Sequence, residues 1–305
     1  VTDDSAPAAP RTLAQRVDAW ERLVRLDKPI GTLLLLWPTL TALWIAARGT
    51  PPLSVVLIFS LGTLLMRSAG CAFNDWADLG YDAHVKRTSR RPLVTGEVTP
   101  REALAVGAGL ALCAFALVLF TNRATIVLAV AALAISIAYP FFKRFFALPQ
   151  AFLGIAFSFG IPMAFASVRG EVEWPGWPML AINLLWVMAY DTEYAMVDRD
   201  DDVRIGMRTS AITFGRFDIA AIAISYAGYL AGMAWVGRLM ALGPVYYAGL
   251  VAALGCAGYH LWLIRDRDRE ACFRAFLHNH WFGFAVFAGT ALDYAVRARA
   301  WPRLA

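Results

Sequence analysis

The sequence predicts an all-α integral membrane protein of about nine transmembrane helices, with its N-terminus on the cytoplasmic side. Three observations carry that prediction. Of 305 residues, 59% are hydrophobic and 17% charged, against roughly 45–50% and 25% in a water-soluble globular protein. Mean hydropathy is +0.54, and the apolar runs approach the roughly 20 residues with which a helix crosses a bilayer. Twenty of the twenty-eight Lys and Arg residues collect, loop by loop, on one side of those runs, as the positive-inside rule requires of the cytoplasmic side. The composition excludes a collagen-like chain, a disordered tail, a disulfide framework and a soluble dinucleotide-binding enzyme. The net charge of +5 is spent on topology, so nucleic acid is not expected as a partner.

The elements follow in chain order. Val1–Ala19 is polar and Pro/Ala-rich, lacks the apolar stretch of a signal peptide, and reads as loose chain. Residues 1–24 are therefore expected to be a polar tail and residues 25–305 a single polytopic membrane domain. Arg11, Arg16, Arg22, Arg25 and Lys28 precede the first run, Ile30–Ala47. The second run, Leu53–Phe73, returns to a loop with Lys86, Arg87, Arg90, Arg91 and Arg101. Ala103–Phe120 and Thr125–Phe142 then lead to Lys143 and Arg144. Leu148–Val168 and Met179–Val197 end at a loop with Arg199, Arg204, Arg208 and Arg216. Phe217–Val236 and Val245–Ile264 reach Arg265, Arg267, Arg269 and Arg274, and Trp281–Val296 is the last run. The opposite side holds Arg48, Arg123, Arg169, Arg238, Arg297, Arg299 and Arg303, and Arg67 alone lies within a run.

Pro38 and Pro162 lie inside apolar runs, which membrane helices tolerate. The small residues of Gly228-Tyr-Leu-Ala-Gly232 would let helices approach closely. Cys71, Cys113, Cys256 and Cys272 stand singly and read as packed free thiols. His278-Asn279-His280 lacks further ligands at zinc spacing and reads as packing.

Two acidic clusters carry the chemistry. Directly after the second run stands Asn74-Asp75-Trp76-Ala77-Asp78-Leu79-Gly80-Tyr81-Asp82. At about 100° per residue, Asn74, Asp75, Asp78 and Asp82 share one face if the helix continues. The sixth run ends in Tyr190-Asp191-Thr192-Glu193-Tyr194-Ala195-Met196-Val197-Asp198-Arg199-Asp200-Asp201-Asp202. On the same wheel Asp191, Tyr194, Asp198 and Asp202 form a stripe from which Glu193 and Asp200 point away. Both clusters follow even-numbered runs, so both lie on the cytoplasmic side and can share one site.

Facing carboxylates repel unless cations lie between them, and hard oxygen ligands suit Mg²⁺ bridging carboxylates to a substrate's phosphates. The remaining charge of a diphosphate needs bases, and the same side supplies Arg67, Lys86, Arg87, Arg90, Arg91, Lys143 and Arg144. Arg67, inside a run, is the most informative of them, because a buried arginine is costly without a purpose.

At these residues the sequence resembles the UbiA superfamily of intramembrane aromatic prenyltransferases, and most closely its bacterial 4-hydroxybenzoate polyprenyltransferases. The resemblance runs from Leu26-Asp27-Lys28-Pro29-Ile30-Gly31 to just past Arg269-Glu270-Ala271-Cys272-Phe273. It includes Val85-Lys86-Arg87-Thr88, Arg91-Pro92-Leu93, Tyr139-Pro140 before Lys143-Arg144, and both acidic motifs, the second followed by Ile205-Gly206. It implies helices around a central cavity that opens sideways to lipid, with the acidic segments near its cytoplasmic end. Metal ligands would be Asn74 and Asp78, supported by Asp82, and Asp198 and Asp202. Arg67, Lys86, Arg91, Lys143 and Arg144 would hold diphosphate or an aromatic carboxylate, and Asp191, Tyr194 and Asp75 would be catalytic or supporting.

The expected reaction is transfer of a polyprenyl group from polyprenyl diphosphate to 4-hydroxybenzoate, at the ring carbon ortho to the hydroxyl. It would be assisted by Mg²⁺, release diphosphate, and belong to ubiquinone biosynthesis at the bacterial inner membrane. Membrane lipid is an expected partner, and no obligate protein partner is evident. The alternatives are another aromatic acceptor, naphthoate or haem, and a divalent-cation transporter, which would need polar residues through the midplane.

Overall fold

The computed structural model describes residues 12–142, 146 and 148–300, the side chains of 140–142, 299 and 300 excepted. Among these residues the regular structure is helical. Thr12 opens α1 (Leu13–Leu23) with a capping box, accepting from the Gln15 N–H while the Gln15 side chain accepts from its own N–H. This helix lies within the polar N-terminal segment.

α2 (Ile30–Ala47) carries Pro38 in its interior. Around it, Thr39 and Thr41 donate to the carbonyls of Leu35 and Trp37, each at 2.8 Å. α3 (Leu53–Ala77) stops at Asp78 and α4 (Leu79–Asp82) follows at once. α5 (Pro100–Val118) starts on a second capping box, Thr99 with Glu102. α6 (Arg123–Phe142) follows an Asn122 side chain that accepts from the Thr125 N–H at 3.0 Å.

The run Leu148–Val168 is two helices, α7 (Pro149–Ser158) and α8 (Gly160–Arg169). Pro162 sits in the first turn of α8, where the missing N–H costs nothing. α9 (Gly176–Ile205) ends at Gly206, whose φ of 71° suits glycine. α10 (Ser210–Phe214) and a 3₁₀ turn (Gly215–Phe217) lead into α11 (Asp218–Leu239). α12 (Pro244–Ile264) begins beneath Asp293, which accepts from the N–H groups of Gly243 and Tyr246 at 2.8 and 3.4 Å. Asp293 lies on α13 (Arg269–Ala300), so one helix caps the next.

Among the described residues six stretches are long and apolar enough to cross a membrane: Ile30–Ala47, Leu53–Ala77, Pro100–Val118, Pro149–Arg169, Ser210–Leu239 and Pro244–Ile264. α6 is apolar over Arg123–Tyr139, while α9 and α13 pair apolar stretches with charged turns. The helices close a ring: α3 packs on α2 and α5, α6 on α7 and α8, α9 on α7 and α11, α12 on α11 and α13, and α13 returns to α2. Outward-facing residues such as Leu57, Leu112, Val130, Ile224, Val251 and Leu254 are exposed. The shell is therefore apolar outside and partly polar within. Gly228 and Gly232 explain the close seat of α11 on α9, since a Cβ there would fall 2.8 Å from Leu185 Cδ1 and 2.6 Å from Ile182 Cγ1.

The polar groups buried between α9, α11, α12 and α13 form one hydrogen-bonded network. Glu193, wholly buried, accepts from Tyr226 Oη at 2.9 Å and from Asn279 Nδ2 at 2.7 Å. Tyr226 Oη is also 2.9 Å from His260 Nδ1, and His260 Nε2 is 2.9 Å from His278 Nδ1. Trp186 Nε1 donates to Asn279 Oδ1 at 2.9 Å and stacks on Phe282. The His278-Asn279-His280 segment is thus part of a hydrogen-bonded core joining α9, α11, α12 and α13. No group of three His, Cys, Asp or Glu side chains able to hold a metal occurs among the described residues. Tyr226→Phe should leave a buried carboxyl oxygen and a ring nitrogen without their shared hydroxyl, at a cost of about 1–3 kcal/mol. The expected outcome is a lower unfolding temperature in detergent, and an unchanged one would contradict the network's role.

Candidate active site

The end of the bundle that carries both acidic motifs encloses a cavity of about 860 Å³, the size of a small-molecule site. Much of its wall is apolar, with Leu34, Phe59, Phe115, Leu133, Leu153 and Phe157 among the lining residues. Its polar part is built from Asn74, Asp78 and Asp82 on one side and Asp191, Tyr194, Asp198 and Asp202 on the other. Two segments more than a hundred residues apart in sequence therefore face each other across one space.

The two stripes are made differently. The second lies on the unbroken helix α9, as its spacing predicts, with Glu193 turned into the core and Asp200 exposed. The first does not continue as one helix. Asp78 leaves α3 with φ −94° and ψ 6°, its N–H still donating to the Asn74 carbonyl at 2.9 Å. α4 then restarts and contains Gly80, a poor helix former. Thr88 Oγ1 donates to the Asp82 carbonyl at 2.7 Å and closes the turn. The first motif is thus a corner, with Asn74, Asp78 and Asp82 on the cavity lining and Asp75 held behind them by Arg25 and Arg91.

Guanidinium groups lie among these carboxylates. Arg87 grips Asp198, with Nε and Nη2 at 2.9 and 2.6 Å from Oδ2, and its guanidinium lies 4.4 Å from the centre of the Tyr194 ring. Arg91 Nη1 donates to Asp82 Oδ2 at 2.6 Å and is 2.9 Å from Asp75 Oδ1. Burial pushes the Asp82 carboxyl above the ordinary carboxylate range; Arg91 opposes that shift, and Asp75 and Asp78 add to it. Burial works against the charge of Arg87, but Tyr194 and Asp198 outweigh it and hold the guanidinium above the ordinary arginine value.

Arg67 lines the cavity from within α3. Its Nη1 contacts Cys71 Sγ, and its buried Nε has no hydrogen-bond partner in the protein. The Tyr190 hydroxyl, also on the cavity lining, is likewise unpartnered. A buried donor without a partner is expensive, and two of them stand on this wall. Gly31 makes the place possible: a Cβ there would stand 2.5 Å from Arg67 Nε and Nη2.

The remaining sequence-predicted residues are distributed as follows. Asp75 is 2% exposed and both its oxygens are engaged by arginine. Lys86 is exposed, lies outside the cavity lining, and contributes its backbone N–H to Asp201 Oδ2 at 3.3 Å. Lys143 and Arg144 lie outside the described residues. Sequence reasoning missed Arg25, which bonds to Asp75 and lines the cavity. It stands among arginines that the loop count explains as topology, and only its place beside Leu26-Asp27-Lys28-Pro29 could have singled it out. It also missed Asp201, which holds the 83–98 loop to α9 and, through Arg269 at 3.1 Å, to α13.

Since no three His, Cys, Asp or Glu side chains among the described residues converge on a metal position, the donors present fit a hard cation only when ligand oxygens complete its shell. That is how Mg²⁺ is ordinarily bound, through one or two carboxylates and phosphate oxygens. Carboxylates on both walls, with arginines between, make a site for a polyanion accompanied by such a cation.

Known proteins resemble this chain in sequence and in fold. The sequence model of the UbiA prenyltransferase family matches residues 35–285. The chain is 63% identical over 285 residues to a 4-hydroxybenzoate octaprenyltransferase of Cupriavidus necator, covering 93% of this chain and 100% of that one. It is 60% identical over 287 residues to the protein of the same name from Nitrosospira multiformis, covering 94% and 99%. Among solved structures, the apo UbiA homolog from Aeropyrum pernix K1 superposes with a TM-score of 0.75 at 25% identity, over 86% of this chain and 97% of that one. A UbiA homolog from Archaeoglobus fulgidus, bound to GPP and Mg²⁺, shares the fold at a TM-score of 0.68 and 18% identity, over 88% and 99%.

The Gly31–Arg67 contact yields a prediction about anion binding. Gly31→Ala should push the guanidinium aside and weaken the cavity's hold on one small anion, benzoate or inorganic diphosphate, by about tenfold, the worth of one charged hydrogen bond. Titration with each identifies which anion Arg67 holds, and unchanged affinity for both would contradict the assignment.

Proposed function

The chain belongs to the UbiA prenyltransferase family, and from that membership we propose how its cavity carries out polyprenyl transfer to 4-hydroxybenzoate. It is a multi-pass membrane protein and a prenyltransferase. The observation that carries the site assignment is the meeting of both acidic stripes with several arginines, Arg25, Arg67, Arg87 and Arg91 among them, in a cavity whose remaining wall is largely apolar. Such a space suits a substrate with a multiply charged anionic head and a long hydrocarbon tail.

In this reading the prenyl tail lies against the apolar walls and the diphosphate sits between the two motifs. Asn74, Asp78 and Asp82 from one wall and Asp198 and Asp202 from the other would hold Mg²⁺. When bound, the cation would neutralise the charge that develops on the leaving diphosphate. Arg87 and Arg91 are placed to share that charge once they turn from carboxylate to phosphate, which makes departure of the allylic oxygen easier. Lys143 and Arg144 are proposed to join them.

The acceptor is placed deeper. Arg67 precedes Asn74 by seven residues, and Asp191 precedes Asp198 by seven, so each lies roughly 10 Å further along its helix. Arg67 and the Tyr190 hydroxyl would take the carboxylate of 4-hydroxybenzoate, and Asp191 and Tyr194 would orient its phenol end. The allylic C–O bond breaks with its electron pair leaving on diphosphate, and the ring carbon ortho to the hydroxyl bonds to the allylic carbon. The displaced ring proton passes to the Asp191–Tyr194 side. Apolar walls keep water from the electron-deficient carbon.

The positive-inside distribution supports nine crossings, a cytoplasmic N-terminus and a cytoplasm-facing site in the bacterial inner membrane. Residues 25–305 are proposed to act as one polytopic unit. A direct test offers the purified protein several prenyl diphosphates with Mg²⁺, and 4-hydroxybenzoate beside a hydroxynaphthoate, with products read by mass spectrometry. Prenylated 4-hydroxybenzoate is expected, and exclusive use of the naphthoate would sink the acceptor assignment. Asp78→Ala and Asp198→Ala should each cut turnover at least about a hundredfold, as loss of groups that stabilise leaving-group charge does. Near-normal turnover by either folded variant would remove that residue from the site.

A further inference from the structure

Arg25 lies at the junction between α1 and α2, in the left-handed region at φ 60°, a costly conformation for a residue with a side chain. Its Nη2 donates to both oxygens of Asp75, at 3.0 and 2.8 Å. Its Nη1 donates back to the carbonyls of Arg22 and Leu23, the latter at 3.0 Å. The guanidinium therefore closes the end of α1 with one arm and grips the last turn of α3 with the other.

Both ends of this link are fixed. α1 is held by Arg16 and Trp20 on Glu102, at 3.0 and 2.9 Å, and by Arg22 on Glu97. Ala19, Leu23 and Val24 pack in one cluster with Ala72, Leu93, Val98 and Ala103. At the other end Asp75 passes the contact on: Arg91 Nη1 lies 2.9 Å from Asp75 Oδ1 and 2.6 Å from Asp82 Oδ2. The chain Arg25–Asp75–Arg91–Asp82 thus spans the corner at Asp78.

We propose that Arg25 is a positioning residue, which acts through Asp75 to set the corner that aims Asn74, Asp78 and Asp82 across the cavity. Without Arg25, buried Asp75 retains one arginine partner, Arg91, and competes with Asp82 for it. The corner then loses its fixed angle, and the head-group ligands lose their common aim. α1 is in consequence part of the machinery that shapes the site. This inference rests on the reading that Asn74, Asp78 and Asp82 serve the diphosphate head.

The test uses the full chain in lipid nanodiscs and measures steady-state prenyl transfer while Mg²⁺, prenyl diphosphate and 4-hydroxybenzoate are varied in turn. Arg25→Gln is expected to raise the Mg²⁺ concentration for half-maximal turnover at least tenfold and to lower kcat. The KM for 4-hydroxybenzoate should stay within twofold, because Arg67 is untouched. Arg25→Lys should restore part of the loss, since a cation returns to Asp75. Asp75→Asn should reproduce the Arg25→Gln pattern, and the double variant should be no worse than the worse single one. An unchanged Mg²⁺ response in Arg25→Gln, an equal rise in every KM, or multiplying losses in the double variant would each overturn the proposal. If Arg25→Gln does not fold, Arg25→Lys and Asp75→Asn decide it, and a wild-type Mg²⁺ response in Asp75→Asn overturns it. Absence of transfer by the wild-type chain would instead count against the reading of the site itself.

Discussion

The constraint on which the rest depends is that many charges are held inside an apolar bundle, and each must be answered by another charge. Carboxylates on two helix ends face a common space, and left alone they would repel across a medium that screens them poorly. The protein answers with guanidinium groups: Arg87 on Asp198, Arg91 between Asp75 and Asp82, Arg25 on Asp75. The result is a lattice of alternating charge at the mouth of a hydrocarbon-lined cavity. Breaking any one partner of such a lattice leaves an uncompensated buried charge.

The helices serve that balance by fixing where each charge stands. α9 carries its stripe on one uninterrupted helix and points Glu193 the other way, into a hydrogen-bonded core with Tyr226, Asn279 and His260. That network ties α9 to α11, α12 and α13 and leaves the second stripe little freedom to turn. The first stripe is held by side chains that reach in from α1 and from the loop after α4. One wall of the cavity is thus rigid by helix packing and the other by ion pairs.

The helical class, the place of the apolar runs and the shared cavity of the two motifs were legible in the sequence because each follows from a simple period. The wheel that places Asp191, Tyr194, Asp198 and Asp202 together holds, since α9 is continuous through Ile205. The wheel for the first motif assumed a helix that ends at Asp78, so the corner was invisible to it. Arg25 was illegible for another reason: positive charge near a first membrane run has a sufficient explanation in topology. Only tertiary contact shows that its guanidinium turns inward to Asp75. The helix α1 escaped because a composition reading merged it with the polar, Pro/Ala-rich residues before it, although Ala19, Trp20, Leu23 and Val24 fall on one face that packs against Ala72, Leu93 and Val98.

The central claim is that one diphosphate touches both acidic walls at once. An experimental structure of the protein with Mg²⁺ and a prenyl thiodiphosphate, which leaves its prenyl group reluctantly, tests it most directly. The account predicts metal-bound diphosphate between the Asn74–Asp82 corner and the Asp198–Asp202 turn of α9, with Arg87 or Arg91 on its oxygens. A diphosphate bound to one wall alone, or outside the cavity, would contradict it.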